Sequence, residues 1–340
     1  MSQDPSRPTT QPMGGPETGP TTRLSVMIPV IPSHPEVAEP FAALVRDGSA
    51  ARLWQGQGSG SDQSLVFAHL AGRGYQIPVG LSVNLMPYHH PFDAVHRART
   101  LASVTRSPLV AGYGPGSLSI QRAVRGAPYR SQLGAVREYV HVLRALLDDQ
   151  HVDHEGETLT CRAQVAHLPS PPIEIGLGVL RPKMARLAGE IADVAITWLT
   201  PATYVRDVLA PALREGAAAA GRPVPRLVVM APTVLAGPGR NPVHLALAGN
   251  GGHLRLPHYV DMLARAGIHT DPADPVHGAA SLVAGSAVLH GNGEDIHKQL
   301  REYEDAGVDE VVLNLSGVAT TLGPQAALAD LRRLLTGADR

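Results

Sequence analysis

The sequence lacks the features that announce several functional classes. It contains a single cysteine, Cys161, so no internal disulfide and no multi-cysteine metal site can form. No run reaches the roughly 18 consecutive apolar residues of a membrane span, and the N-terminus has no apolar core of the secretory kind. Charge of one sign is also missing. The 29 Lys and Arg against 30 Asp and Glu leave a formal net charge of -1 with no dense basic cluster, which argues against nucleic acid or an anionic membrane as partner. There is no Gly-x-Ser-x-Gly elbow, and Cys161 has no evident base beside it, so nucleophilic catalysis has no support. These absences point to a cytoplasmic protein acting on a neutral small molecule or a peptide.

What is present suits a large α/β core, with 340 residues and 44% hydrophobic content. Residues Met1 to Thr22 are rich in Pro, Gly, Ser, Thr and Gln and read as a disordered tail, because burial cannot offset their ordering entropy. From Arg23 to the end, short apolar runs alternate with helical segments. The strand candidates are Leu24 to Val30, Ala51 to Trp54, Ile77 to Leu85, Leu109 to Tyr113, Ile173 to Leu177, Val194 to Trp198, Leu227 to Leu235 and Glu310 to Leu315. Helices are expected at Pro40 to Asp47, Asp62 to Gly72, Pro91 to Thr105, Ser131 to Asp148, Pro182 to Ile191, Tyr204 to Ala220, Leu256 to Ala266 and Asp295 to Ala306. Near-continuous apolar strands separated by helices indicate a parallel sheet, and eight such units predict one (β/α)8 TIM barrel. Two stretches break the rhythm and are expected to decorate its C-terminal face. Residues 150–172 read as a hairpin turned at Glu155-Gly156, and residues 237–288 scatter Pro, Gly and His around a single helix.

Four segments carry a family resemblance: GLSVNLMPYHHP at the third strand, REYVHVLRALLDDQHVDHEGETL at Arg137 to Leu159, RPKMARLAGEIADVAITW at Arg181 to Trp198, and YEDAGVDEVVL at Tyr303 to Leu313. In order and spacing the chain resembles the bacterial-luciferase-like flavin and deazaflavin oxidoreductases, and more narrowly the branch using coenzyme F420. The resemblance implies an F420-dependent enzyme that passes a hydride from reduced deazaflavin to an electron-poor double bond. A dehydroamino acid in a peptide natural product is one such acceptor. It also implies a homodimer. Two other readings stay open: a flavin-mononucleotide (FMN) monooxygenase on the same scaffold, and a flavin- or peptide-binding barrel without turnover.

The resemblance also implies a cofactor site. In the branch, a non-prolyl cis peptide makes a bulge at the end of the third strand and supports the tricyclic ring, which places it between Ser82 and Val83. Gly112 and Gly114, in AGYGPG, permit close backbone approach and either flank the ring or form a plain glycine-rich turn. No helix cap is evident after them. Gly178 and Arg181 precede the helix starting at Pro182, whose N-terminus would bind phosphate; Arg181 pairs with that phosphate or is a solvated helix-start arginine. Thr197 matches a Thr-Trp pair of the branch and would bond the cofactor tail. Substrate chemistry is expected at the ends of the first three strands, from among His34, Gln55, Gln57, His89 and His90. Gln57 can hold a carbonyl as a neutral amide, and His90 can donate a proton near neutral pH. Asp62 reads as an N-cap. No metal site is expected, since His151, His154 and Glu155 fall in a hairpin rather than on a helix.

Overall fold

The computed structural model describes residues 22–58 and 60–336. Its strands, in chain order, are β1 (Arg23–Met27), β2 (Leu53–Gln55), β3 (Val79–Leu85), β4 (Leu109–Gly114), β5 (Val152–Glu155), β6 (Thr160–Ala163), β7 (Ile173–Gly178), β8 (Val194–Trp198), β9 (Arg226–Leu235), β10 (Leu289–Gly291) and β11 (Glu310–Asn314). Eight of them pair in parallel as β9-β11-β1-β2-β3-β4-β7-β8, and β8 closes onto β9 to complete a barrel. These are the eight expected apolar runs. Helices pack outside the ring, so the strands are buried on both faces, which is why they read as continuous hydrophobic segments. The disordered tail expected for Met1 to Thr22 lies outside the described residues except for Thr22, whose hydroxyl donates to the Val308 carbonyl at 2.7 Å. Among the described residues, no helix is long and apolar enough to cross a membrane.

Local signals set the helix starts. The Asp62 carboxylate accepts from the Ser64 N–H at 2.8 Å and caps Gln63–Gly72 as expected, while Asn292 and Asp295 form a capping box before Gly293–Asp305. The helix expected from Tyr204 runs from Ala202 to Ala219 but widens into a π turn at Val205–Leu209. Pro211 explains the break, because it has no N–H to offer the carbonyl four residues back.

Three expectations need correction. Residues 237–288 carry three α-helices, Pro242–Asn250, Pro257–Arg265 and Pro275–Ala284, rather than one. Asn241-Pro242 and Asp274-Pro275 are cap-plus-proline starts, and both cap side chains accept helix N–H groups. A helix, Leu118–Arg125, does follow the glycines of β4, capped by the Ser117 hydroxyl. The short β10 extends the outer half of β9 beyond the barrel, pairing Leu289 with Thr233. The hairpin of β5 and β6 forms as expected, with Glu155 opposite Thr160 and Gly156 in its turn.

The N-terminal end of the barrel is plugged by a buried charge network. The Glu310 carboxylate has no exposed surface; it accepts from the Ser25 hydroxyl at 2.6 Å, the Trp54 indole at 2.7 Å and Arg226 at 3.3 Å. Arg52 lies 3.8 Å from it and also donates to the Val79 and Pro108 carbonyls. Burial lowers the Arg52 pKa and the Glu310 charge opposes that loss. With the floor closed, access to the interior is from the C-terminal end.

Candidate functional site

The site is built around a defect in β3. β3 and β4 run in register to Leu81 opposite Ala111 and then jump to Asn84 opposite Tyr113, so β3 carries one extra residue. Within that bulge the Ser82-Val83 peptide is cis, at the bond the resemblance names. Val83 joins the barrel-interior cluster containing Trp54, Ile196, Met230 and Trp198.

The glycines of β4 leave room for this bulge. A Cβ on Gly112 would lie 2.1 Å from the Leu81 carbonyl oxygen and 2.7 Å from Ile196 Cδ1; one on Gly114 would lie 2.9 Å from Val83 Cγ2. Gly112 and Gly114, expected either to flank the ring or to form a plain glycine-rich turn, thus leave space that the protein's own atoms fill. Gly178 differs, since a Cβ there meets nothing nearer than 3.6 Å.

Four buried polar atoms in the strands and strand ends on the mouth side of the barrel have nothing to bond: Gln55 Oε1 at the end of β2, Ser82 Oγ in the β3 bulge, Thr197 Oγ1 in β8 and Thr200 Oγ1 just past it. An unpaired buried polar group costs about 1–3 kcal/mol, so each is a group that a polar ligand would complete. Hydroxyls and an amide oxygen, with no charged group among them, suit the carbonyl and N–H edge of a planar heterocycle. Gln55 was one of several strand-end candidates in the sequence; nothing in its spacing singled it out from Gln57.

A second feature adjoins β7. Arg181 is the N-cap residue of Pro182–Ile191 and makes no side-chain cap bond; its guanidinium reaches Asp261 at 3.4 Å across to helix Pro257–Arg265. The helix N-terminus beside it presents unpaired N–H groups suited to an anion. The same insert covers the end of β8: the Trp198 indole donates to Asn250 at 3.4 Å, and its ring stacks on His253 at 5.2 Å between centroids. His253 packs edge-on against Tyr259. Burial, with the charge of His258 second, pushes the His253 pKa down to about 4, so the ring is neutral at pH 7, and its Nδ1 is buried and unpartnered. No sequence signal pointed to His253, because its ring partner lies 55 residues earlier in the chain.

The two proposed catalytic residues occupy other posts. Gln57 Oε1 accepts from the Leu85 N–H at 2.7 Å and holds the top of β3. His90 caps helix Pro91–Thr105: its Nδ1 accepts from the Phe92 N–H at 3.2 Å, which leaves the neutral ring's proton on Nε2, donated to the Thr160 carbonyl at 3.0 Å. Both ring nitrogens are thus engaged in joining the strand end to the hairpin. His89 pairs with Asp93 at 2.9 Å, and His34 is exposed. In the hairpin, His154 bonds Glu138 at 3.0 Å while Glu155 pairs with Arg162 at 2.5 Å. Cys161 is buried, and burial raises its thiol pKa.

Comparison with known proteins places this geometry. The chain is 33% identical over 178 residues to an F420-dependent glucose-6-phosphate dehydrogenase of Nakamurella multipartita, covering 50% of this chain and 52% of that one. It thus spans about half the length of the curated relatives it matches. Among solved structures, an F420-dependent secondary alcohol dehydrogenase in complex with an F420-acetone adduct superposes with a TM-score of 0.70 at 16% identity, over 92% of this chain and 99% of that one. The oxygenating constituent of 3,6-diketocamphane monooxygenase from Pseudomonas putida, in complex with FMN, superposes with a TM-score of 0.68 at 15% identity, over 94% and 97%. At such identities these structures speak for the fold alone. The luciferase-like monooxygenase family model matches residues 33–310, a span that takes in the β3 bulge, the unpaired polar groups and the covering insert, and the chain belongs to that family.

Proposed function

We propose that the chain is an F420-dependent oxidoreductase acting on an electron-poor double bond, with a dehydroamino acid in a peptide as the substrate class. When bound, reduced deazaflavin supplies the hydride, chemistry that side chains alone do not have. The observation that carries this reading is the set of unpartnered buried oxygens of Ser82, Gln55, Thr197 and Thr200 on the mouth side of the barrel. The named cofactor of the Nakamurella relative supports deazaflavin over other planar rings.

In this reading Val83 forms the apolar floor under the ring, Ser82 and Gln55 hold its polar edge, and Thr197 bonds the tail. Gly178 lets the tail pass close to β7, and the N-terminus of Pro182–Ile191 takes the phosphate, with Arg181 exchanging Asp261 for it. The stacked Trp198 and His253 wall off water from one side. We further propose a homodimer acting in the cytoplasm.

The polar contacts are testable one by one. Ser82→Ala and Thr197→Ala are each expected to weaken F420 binding about 5–10-fold, the loss of one hydrogen bond of ~1–1.4 kcal/mol, in a fluorescence titration. Cys161→Ser, on the hairpin, should leave it unchanged. Wild-type affinity in both barrel variants would overturn the assignment of these hydroxyls to the cofactor.

A further inference from the structure

A second concavity lies on the outer rim of the barrel mouth, between the Met86–Pro91 turn, the tip of the β5/β6 hairpin and helix Gln132–Leu147. It encloses about 210 Å³, room for a small ring carrying one polar group rather than a drug-sized ligand. Ser82, Gln55, Thr197 and Thr200, whose oxygens are unpaired, do not line it. We propose that this cleft binds a carboxylate carried on an aromatic body, held by the Tyr139 hydroxyl and the Arg125 guanidinium.

Its walls are fixed by hydrogen bonds that are complete within the protein. On one side, the Gln121 amide donates to the carbonyls of Pro115 and Gly116 and accepts from the Tyr129 N–H at 3.0 Å, which sets Tyr129 in place. On the other, Glu138 accepts from the Thr158 and Leu159 N–H groups and the Thr158 hydroxyl, clamping the hairpin tip. Burial raises the Glu138 pKa, yet the combined hydrogen bonds from Thr158, His154 and Leu159 outweigh it and keep the carboxylate charged. His90 ties the Met86–Pro91 turn to the same hairpin.

Against these satisfied walls, one group is conspicuously unpaired. Tyr139 is only 3% exposed, it lines the cleft, and its hydroxyl has no partner. Burial lifts its pKa well above 10, so it stays a neutral O–H donor. Arg125, also lining the cleft, lies flat over the Tyr129 ring at 3.8 Å and donates through Nη1 to the Ala127 carbonyl, so it is oriented by a face and one bond. Both contributed groups are donors, one of them cationic, and a guanidinium matches the planar geometry of a carboxylate. Tyr88, Tyr129, Pro87 and Pro91 add flat faces to the lining. Donors over ring faces select an anion attached to an aromatic body rather than a free inorganic anion.

Such a group can belong to a free aryl acid or to a peptide ending in an aromatic residue. The test uses the whole protein and fluorine NMR, titrating 4-fluorobenzoate, its neutral counterpart 4-fluorobenzamide, and N-acetylglycyl-4-fluorophenylalanine as free acid and as amide. The expected result is saturable binding of at least one acid, with its amide at least tenfold weaker. Tyr139→Phe and the surface change Arg125→Gln should each weaken the acid at least fivefold. The acid that binds more tightly identifies the source. Absence of saturation by both acids, equal binding of acid and amide, or unchanged binding in Arg125→Gln would overturn the proposal. Arg125→Gln keeps the test decisive should Tyr139→Phe misfold. Because none of the unpaired cofactor-binding oxygens lines the cleft, a failure here is separable from a failure of the F420 reading, which the Ser82 and Thr197 variants report.

Discussion

Gly112→Ala is expected to lower the melting temperature by roughly 4–5 °C and to weaken F420 binding at least tenfold, although it adds one methyl group. A Cβ at this position would sit 2.1 Å from the Leu81 carbonyl oxygen, which is backbone and belongs to the strand that bulges two residues later. Ile196 Cδ1, at 2.7 Å, can turn away; the carbonyl cannot move without shifting β3. Overpacking of this kind costs typically 1–3 kcal/mol, and about 3 kcal/mol where backbone must move, as here. The displaced strand is the one that carries Ser82 and Val83, hence the loss of affinity. Gly178→Ala is the matched control: its nearest contact would be an ordinary 3.6 Å, so the melting temperature should hold while binding falls if the cofactor tail passes there. Thermal denaturation with and without F420 reads both. A Gly112→Ala protein melting within 2 °C of wild type would show that the bulge does not depend on that gap.

The other large effect is expected at the opposite end of the barrel. Glu310→Ala removes the carboxylate that receives Ser25, Trp54 and Arg226 and leaves Arg52 as a buried cation without its counter-charge. Breaking a buried pair in this way costs about 3–5 kcal/mol, which corresponds to roughly 4–7 °C in a domain of this size. Much of that cost is the stranded arginine rather than the lost bonds. Adding Arg52→Leu to Glu310→Ala should therefore restore part of the stability, a non-additivity that a double-mutant cycle measures. A Glu310→Ala protein as stable as wild type would contradict the role of the network.

The barrel was legible because each of its strands is buried on both faces and so reads as an apolar run bounded by turn residues. β10 escaped notice because three residues are too few for any periodicity, and the helices at Pro242 and Pro275 because their Pro and Gly content resembled loop. The site was legible only where a motif named it. Ser82-Val83 followed from the resemblance of GLSVNLMPYHHP, and the cis bond is there. For Gly112 and Gly114 the sequence allows both a place beside the ring and a plain turn, because a glycine's neighbours are invisible in sequence; in space those neighbours are Leu81, Val83 and Ile196. His90 showed the converse, a reactive residue type whose two nitrogens are both occupied by local and hairpin backbone. The unpaired hydroxyls of Thr200 and Tyr139 have no sequence signature at all, since being unpaired is a property of the surroundings.

The most direct measurement is a side-by-side fluorescence titration of the purified protein with F420 and with FMN under identical conditions. The F420 reading predicts saturable F420 binding at least tenfold tighter than FMN. Preferential binding of FMN, or binding of neither, would contradict it, the first in favour of flavin oxygen chemistry on the same barrel and the second in favour of a barrel without turnover.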